Sequence, residues 1–211
     1  MVYNWSGNNP AKFSVGAEVN FVNNHYIMGP DTSAPQVAWL SDKELGTRIY
    51  SAGNIGPKCP AADRDGWTIG FFDGDAWRAQ KKVLPASEAD FGAAQAFEVP
   101  PVTTHPAAQL LGLILPNVGA TRPRRDAVDA RIIQEVKTGT GTGRTWPASP
   151  YPVLEPGTPP VDTDRDGMPD EWEKKHGLDP QDPRDGSGPA RNGYTNLEDY
   201  LNELAGDPVR F

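Results

Sequence analysis

Twelve residues near the C-terminal end restrict the possible folds of this chain more than any other feature. They begin at Asp162 and end at Glu173, and their sequence, DTDRDGMPDEWE, fits the pattern D-x-D-x-D-G-x5-E without a mismatch. In such a loop the alternate carboxylates at positions 1, 3 and 5 point inward, and the glycine at position 6 permits a sharp turn. Because oxygen ligands in this spacing suit a hard cation, the pattern predicts a calcium site rather than a disordered acidic linker.

The ligands of the predicted Ca²⁺ cofactor follow from the position of each residue in the loop. Position 7 offers its backbone carbonyl, since a thioether is a poor ligand for a hard ion. Position 9 binds directly or through water, and position 12 closes the site with both carboxylate oxygens. The predicted metal ligands are Asp162, Asp164, Asp166, Met168, Asp170 and Glu173.

The residues after the loop predict a small helical module that extends to the end of the chain, 162–211. Pro169 suits the start of a first helix, which we expect to end in a run of cations before Gly177. Thr195 and Glu198 have the spacing of a capping box at the start of a second helix. The residues predicted to form the small core between the helices are Trp172, Tyr194, Leu197, Tyr200, Leu201 and Leu204.

A second calcium loop is a weaker candidate within the same module. If Gly193 is its sixth position, then Asn192, Tyr194, Asn196 and Asp199 fall at positions 5, 7, 9 and 12. Positions 1 and 3 would be Gly188 and Ala190, which supply no side-chain oxygen, although Asp182 and Asp185 are possible substitutes. The sequence leaves open whether this loop binds an ion.

The excess of acidic residues is confined to the end of the chain. Of its 28 acidic and 20 basic residues, 14 and 6 respectively lie in 151–211, which leaves 14 of each in 1–150. Such an acidic tail repels phosphates, which argues against nucleic-acid binding. No apolar run approaches the roughly 20 residues of a membrane helix, so no membrane partner is predicted. The single cysteine, Cys59, excludes an intrachain disulfide.

The first half of the chain predicts short strands separated by turns. The chain contains 22 Gly and 22 Pro, which favour turns over long helices. Strand-like runs such as 19–22 and 48–50 lead into Asn23-Asn24 and Gly53-Asn54, a unit that recurs roughly every 20–30 residues. This spacing suits the coils of a parallel β-solenoid, but an antiparallel meander fits the local pattern nearly as well.

Two helices and a linker are predicted between the strands and the acidic module. The first helix is capped by Thr103 or Thr104 and runs through Leu115. The second runs from its N-cap, Asp126, to Lys137 and is ended by Gly139, with Val128, Ile132 and Val136 on its apolar face. Acidic turns are predicted at 63–66 and 73–75, and residues 138–161 form a Gly-, Thr- and Pro-rich linker. The arginines before the second helix are either structural or contacts for an acidic polymer; they are Arg122, Arg124 and Arg125.

Several of these stretches resemble pectate-lyase-like proteins of polysaccharide lyase family 1. VYNWSGN at 2–8 and VNFVNNHYIMGP at 19–30 resemble late coils of these proteins, and 101–143 resembles the segment after the β-helix of secreted bacterial members. The ending from Asp162 onward resembles their calcium-binding tail, which is akin to thrombospondin type 3 and dockerin repeats. The resemblance covers 1–57 and 100–211 and leaves the middle unassigned.

The resemblance implies a mainly β fold with four parts. Residues 1–100 would be the terminal coils and loops of a right-handed parallel β-helix, truncated at the N-terminus, on which a helical segment, 101–137, packs. The linker, 138–161, would lead to an EF-hand-like calcium-binding module, 162–211.

The implied function is that of a secreted lyase acting on polygalacturonate, an acidic polysaccharide of the plant cell wall. In this calcium-dependent β-elimination an arginine takes the proton at C5 of a uronate residue. In the family, that arginine and the acidic metal ligands precede the strand that resembles VYNW. We therefore assign no catalytic residue, including Arg48, Arg64 and Arg78, and expect this C-terminal portion to be inactive alone. The alternative is a non-catalytic calcium-binding module that attaches a protein or carbohydrate partner.

Overall fold

A computed structural model describes residues 1–6, 10–62, 66–119, 121–122, 124–142 and 156–206. The chain divides into two compact units, which we treat separately. Unit 1 comprises residues 1–121 and 125–151, and unit 2 comprises residues 122–124 and 152–211. Among the described residues, no helix is both long enough and apolar enough to cross a bilayer.

The described residues of unit 1 form three small sheets in which every strand ladder is parallel. Their strand orders are β1-β4, β2-β5-β7 and β3-β6, so the chain visits one strand of each sheet before it returns to the first sheet. The antiparallel meander is therefore wrong for these strands. The strands are β1 Val2–Tyr3, β2 Ala11–Phe13, β3 Glu18–Val22, β4 Tyr26–Ile27, β5 Ala38–Leu40, β6 Arg48–Ala52 and β7 Phe71–Asp73.

The register of these ladders repeats with a similar separation along the chain. Val2 pairs with Tyr26, and Ala11 pairs with Ala38. Glu18 pairs with Arg48 at the start of the longest ladder, which joins β3 to β6. Single parallel bridges, His25 with Ile55 and Ile49 with Gly92, extend the same pairing beyond the ladders.

The core of unit 1 is formed by the inward-facing side chains of these strands and of the turns that join them. Phe21 is its centre, because its ring contacts Phe13, Tyr26 and Phe71 with centroids 5.7, 5.9 and 5.4 Å apart. Burial raises the pKa of Tyr26 to about 12. The side chains buried most completely in this core are Val37, Leu40, Ile49, Ile69 and Phe91. Each contributes about 1.5–3 kcal/mol through the apolar surface it removes from water.

The turn between β3 and β4 has the same backbone form as the turn that follows β6. Asn23 and Gly53 lie at equivalent places in the two turns, and both have a left-handed backbone, with φ of 53° and 66°. A side chain at Gly53 would have to displace the amide oxygen of Asn23 and adopt a left-handed backbone, so this position favours glycine. The next residues, Asn24 and Asn54, are hydrogen-bonded to one another.

Helices follow the strands in unit 1. They are α1 Gly74–Gln80, α2 Glu88–Phe91, α3 Leu110–Ile114 and α4 Ala127–Thr138. Asp73 is the N-cap of α1, since one oxygen of its carboxylate accepts from the backbone N–H groups of Asp75 and Ala76. The turn predicted at 73–75 is therefore the start of a helix. The turn predicted at 63–66 lies mostly outside the described residues.

The predicted helix ends agree with the structure for α4 and differ for α3. The side chain of Asp126 accepts from Asp129 N at 2.8 Å, and Gly139 ends the helix with a left-handed backbone, which confirms both predictions. The predicted apolar face is wrong, because Ile133 is buried whereas Ile132 is 43% exposed. The predicted threonine cap of α3 is also wrong, since the helix begins after a 3₁₀ turn at Ala107–Gln109.

Unit 2 contains α5 Asp170–His176 and α6 Asn196–Ala205. The capping box of Thr195 and Glu198 is confirmed, as is the end of α5 at Gly177. Trp172 of α5 contacts Tyr200 of α6, with ring centroids 5.4 Å apart. The predicted small core is only partly correct, because half of each of three member side chains is exposed to solvent: Tyr194, Leu201 and Leu204.

Candidate metal centre

The acidic loop is closed on itself by backbone hydrogen bonds to its own carboxylates. Asp162 accepts from the backbone N–H of Arg165 at 2.7 Å and from that of Gly167 at 3.2 Å. Arg165 and Gly167 both have positive φ angles, of 67° and 101°, which bring these N–H groups back toward the first carboxylate. These hydrogen bonds therefore contribute to the curvature of the loop.

Asp164 and Asp166 each use one oxygen to hold the loop and direct the other inward. Oδ1 of Asp164 accepts from Asp166 N at 3.3 Å, and Oδ1 of Asp166 accepts from Met168 N at 2.9 Å. The Oδ2 atoms of both residues are buried and have no hydrogen-bond partner among the described residues. Burial raises the pKa of Asp164, and the neighbouring carboxylates raise it further.

Glu173 places its carboxylate in the middle of this cluster from the first turns of α5. The side chain is completely buried, and neither carboxylate oxygen has a partner in the part of the chain that the structure describes. Burial, followed by the charges of Asp164, Asp166 and Asp185, raises the pKa of Glu173 to about 7. A buried carboxylate without hydrogen bonds is costly, so the chemistry of this cluster fits a bound cation.

Asp185, which lies outside the twelve-residue loop, completes the cluster. One oxygen each from Asp166, Glu173 and Asp185 lie within 4.8 Å of one another, as do one oxygen each from Asp162, Asp164 and Asp166. The two groups share Asp166. Sequence reasoning considered Asp185 only for the second loop, because no spacing rule connects it to the first.

Two of the predicted ligands have other contacts in the structure. The carboxylate of Asp170 accepts from the backbone N–H of Thr163 at 2.8 Å and from its hydroxyl at 2.9 Å. These hydrogen bonds hold the pKa of Asp170 below its usual range. Met168 is fully buried and packs as an apolar side chain, which leaves only its backbone carbonyl for a cation.

The donor set has the composition that a hard divalent cation requires. Ca²⁺ takes six to eight oxygen ligands at about 2.3–2.6 Å. Five buried carboxylate oxygens without partners are available, one each from Asp164, Asp166 and Asp185 and two from Glu173. Asp162 and the carbonyl of Met168 would bring the number to seven. Among the described residues, no Lys, Arg or His side chain pairs with these five oxygens.

In the second loop candidate, the carboxylate at position 12 is hydrogen-bonded to the side-chain amide at position 5. Asp199, at its position 12, is 1% exposed, and its Oδ1 accepts from the side-chain amide of Asn192 at 2.8 Å. Asn192 also accepts from Tyr194 N at 3.0 Å. Among the described residues, no cluster of three metal-ligating side chains includes Asp199.

The arginines of unit 1 that the structure describes are engaged in structural contacts. Arg78 pairs with Asp42 at 2.6 Å and with Asp75 at 3.4 Å, and Arg48 donates to the backbone carbonyls of Thr47 and Asp90. Arg125 donates to three carbonyls at the end of α3, which supports its structural role. Arg64 lies outside the described residues.

The chain thus combines parallel sheets in one unit with an acidic cluster in a second unit, and its sequence is pectate-lyase-like. It is similar over 97% of its length to fungal proteins named "Probable pectate lyase C". The identity is 31% over 215 residues with the protein of Aspergillus fumigatus, 29% over 216 residues with that of Aspergillus terreus, and 30% over 216 residues with that of Neosartorya fischeri.

The similarity covers nearly all of this chain but only part of each relative. The chain spans about half of the length of these curated relatives, 47% in each case. Because 97% of the chain is aligned, the similarity also includes most of the middle segment that the family resemblance left unassigned. No family model matches the chain, and no solved structure matches it.

Proposed function

We propose that this chain is part of a secreted pectate lyase that cleaves polygalacturonate by calcium-dependent β-elimination. The similarity to proteins named as pectate lyases over 97% of the chain carries the proposal. The catalytic arginine and its metal ligands are assigned to the part of the protein that precedes Met1. The chain alone therefore binds the acidic polysaccharide at most and does not cleave it.

We infer that the strands of unit 1 are coils of a right-handed parallel β-helix. Three observations support this fold: parallel pairing in every ladder, strand partners that lie one full circuit of the three sheets apart, and a return to the same three sheets on the second circuit. Inward-facing aromatic residues such as Phe21 and Phe71 would fill the interior of the coils.

We also propose that the acidic loop of unit 2 binds one Ca²⁺. Asp162, Asp164, Asp166 and Glu173 supply side-chain oxygens, and Met168 supplies its backbone carbonyl. Asp170 accepts two hydrogen bonds from Thr163. It either contacts the ion through a water molecule or only supports the conformation of the loop. The bound ion would neutralise the buried carboxylates of the loop. An extracellular loop of this type has a dissociation constant of about 10⁻⁴–10⁻³ M.

Calorimetry tests the calcium proposal directly. Titration of the full chain with CaCl₂ is expected to give one saturable event that is absent in the double variant Asp162→Ala, Asp166→Ala. A matched control is Asp179→Ala with Asp182→Ala, which removes the same charge from the neighbouring turn. An absent calcium heat, or a heat that the first double variant leaves unchanged, would refute the assignment.

The lyase proposal is tested by activity and by affinity for the substrate. The longer protein is expected to release product with a 4,5 double bond, measured by ultraviolet absorbance, and to lose this activity when a chelator removes calcium. The chain alone is expected to bind polygalacturonate in co-sedimentation and to release no unsaturated product. Rapid product release by the chain alone would place the catalytic residues within it.

The second candidate function is a non-catalytic module that attaches a partner through unit 2 in the presence of calcium. The observation that favours it is the separate compact unit, in which Tyr194, Leu201 and Leu204 are each more than half exposed. Loss of all affinity for polygalacturonate, together with calcium-dependent capture of one specific protein by unit 2, would favour this function over the first.

A further inference from the structure

Asp185 meets the distance requirement for a ligand of the same cation as the acidic loop. Two oxygens bound to one Ca²⁺ at about 2.3–2.6 Å from the ion are at most about 5 Å apart. An oxygen of Asp185 lies within 4.8 Å of oxygens of both Asp166 and Glu173. Asp185 itself lies beyond the C-terminal end of α5, in a different turn of unit 2.

The carboxylate of Asp185 is oriented in the same way as those of the loop. Its Oδ2 accepts from Asp179 N at 3.0 Å, whereas its Oδ1 is buried and has no hydrogen-bond partner among the described residues. The adjacent cation does not neutralise it, since Arg184 binds both oxygens of Asp182, at 2.7 and 2.8 Å. Asp164 and Asp166 show the same arrangement: one oxygen of each accepts from a backbone N–H, and the other is buried without a partner in the described part of the chain.

The turn that carries Asp185 is tied by its backbone to the start of α6. The carbonyl of Asp185 accepts from the side-chain amide of Asn196 at 2.8 Å, and the carbonyl of Gly186 accepts from Leu197 N at 3.0 Å. Gly186 also lies against Asp166, and a Cβ at this position would collide with its carboxylate. Two hydrogen bonds therefore link the Asp185–Gly186 backbone to the first turn of α6.

We propose that Asp185 is a direct ligand of the loop cation, so that cation binding fixes the 185–197 segment and α6 against the acidic loop. This inference rests on the proposed calcium site and adds a ligand that no loop pattern includes. The consequence is that the whole of unit 2, and not only the twelve-residue loop, responds to calcium.

Calcium titration of the wild-type chain and of two variants, Asp185→Asn and Asp182→Asn, tests the ligand. Asp185→Asn keeps an oxygen that can accept from Asp179 N but removes the charge, and Asp182→Asn removes the same charge from a partly exposed residue of the same turn that pairs with Arg184. We expect calcium affinity to fall at least about tenfold in Asp185→Asn, the lower end of the cost of losing a supporting group, and less than about twofold in Asp182→Asn. Equal affinity in all three proteins, or equal weakening in both variants, would overturn the inference.

Hydrogen exchange measured by mass spectrometry tests the coupling. In the wild-type chain, calcium is expected to slow exchange in peptides that contain the loop and in peptides that contain 192–205. In Asp185→Asn, at a calcium concentration that saturates it, the loop is expected to be protected and 192–205 to be less protected. Full protection of both segments in this variant would contradict the coupling.

A second variant keeps the test decisive if Asp185→Asn does not fold. Asp185→Glu retains the charge but moves the carboxylate outward by one methylene, so it cannot both accept from Asp179 N and reach the cation; weaker calcium binding is expected. Wild-type affinity in Asp185→Glu would count against the direct contact. Failure of the proposed calcium site is distinguishable, because the wild-type chain itself would then bind no calcium.

Discussion

Asn54 Oδ1 accepts two hydrogen bonds from Asn24, one from its backbone N at 2.8 Å and one from its side-chain amide at 2.9 Å. The two residues occupy the same place in successive turns of unit 1. Asn54 is 1% exposed and also donates to the carbonyl of Phe21 at 2.7 Å. The side chain of Asn54 thus pairs with backbone groups at the end of β3 and in the turn that follows it, and so ties two successive turns together.

The first prediction concerns the loss of this side chain. Asn54→Ala removes the acceptor of Asn24 N and one donor to the carbonyl of Phe21, and a buried unpaired group costs about 1–3 kcal/mol. We expect the free energy of unfolding, measured by urea denaturation, to fall by about 2–4 kcal/mol. Asn24→Ala is the control, with an expected loss of about 1 kcal/mol, because its backbone N still pairs with Asn54. Equal effects of the two variants would contradict this assignment.

The second prediction tests the parallel register of β3 and β6. Glu18 and Arg48 are direct partners, and neighbouring strands are about 4.8 Å apart, which is within the Cα separation of a disulfide. Cysteines at these two positions are expected to form a disulfide on mild oxidation, detected as a mobility shift on non-reducing electrophoresis. Cysteines at Glu18 and Tyr50 are two positions out of register, about 8 Å apart, and are expected to stay reduced. Efficient cross-linking of the second pair would refute the register.

The third prediction concerns the stability of the calcium-free chain as a function of pH. Since the folded-state pKa of Glu173 is raised from 4.5 to about 7, the folded state binds more protons than the unfolded state between these values. Its contribution to stability is therefore fully present below about pH 4.5 and is lost as the pH rises through 7.

Urea denaturation in a chelator at pH 5 and pH 8 measures this effect. Glu173→Gln removes the titrating group. Subtracting the variant's free energy of unfolding from that of the wild type therefore removes the pH dependence that unit 1 contributes to both. We expect the wild type to lose more stability than the variant between the two pH values. If the proposed calcium site is correct, added calcium should reverse the dependence, because the ion would bind the deprotonated carboxylate. A pH-independent difference would show that Glu173 does not titrate in this range.

The fourth prediction concerns Arg125, whose side chain donates to backbone carbonyls just after the last residue of α3. Its Nη2 donates to the carbonyls of Leu115, Pro116 and Val118 at 3.1, 3.0 and 2.9 Å. Arg125→Ala is expected to lower the free energy of unfolding by about 1–3 kcal/mol, because these carbonyls lose a charged donor. The neighbouring and exposed Arg124 provides the control, with an expected change within about 0.5 kcal/mol for Arg124→Ala.

Local signals in the sequence predicted local structure well. The capping box of Thr195 and Glu198, the N-cap at Asp126 and the glycine ends of α4 and α5 depend on residues within about one turn of each other, so the sequence contains the whole interaction. The clustering of the aspartates in the acidic loop is local for the same reason.

Contacts between distant residues were beyond the reach of the sequence. The local strand pattern is the same for parallel and antiparallel pairing, which are distinguished only by partners that lie two or more elements away along the chain. Asp185 shows no motif, since its approach to Asp166 depends on the turn that precedes α6. In α4 the choice of Ile133 over Ile132 for burial depends on what lies beside the helix and not on periodicity alone.

The anchoring of the carboxylates in unit 2 has a consequence for the choice of ion. A backbone N–H holds one oxygen of each of three carboxylates, those of Asp164, Asp166 and Asp185. These hydrogen bonds limit how far the carboxylates can move toward a smaller cation. Mg²⁺ requires six ligands at about 2.0–2.1 Å in nearly ideal octahedral geometry, and it gives up its water reluctantly. Because these hydrogen bonds restrict the carboxylates, we expect the loop to discriminate by ionic radius and to bind calcium in a large excess of magnesium.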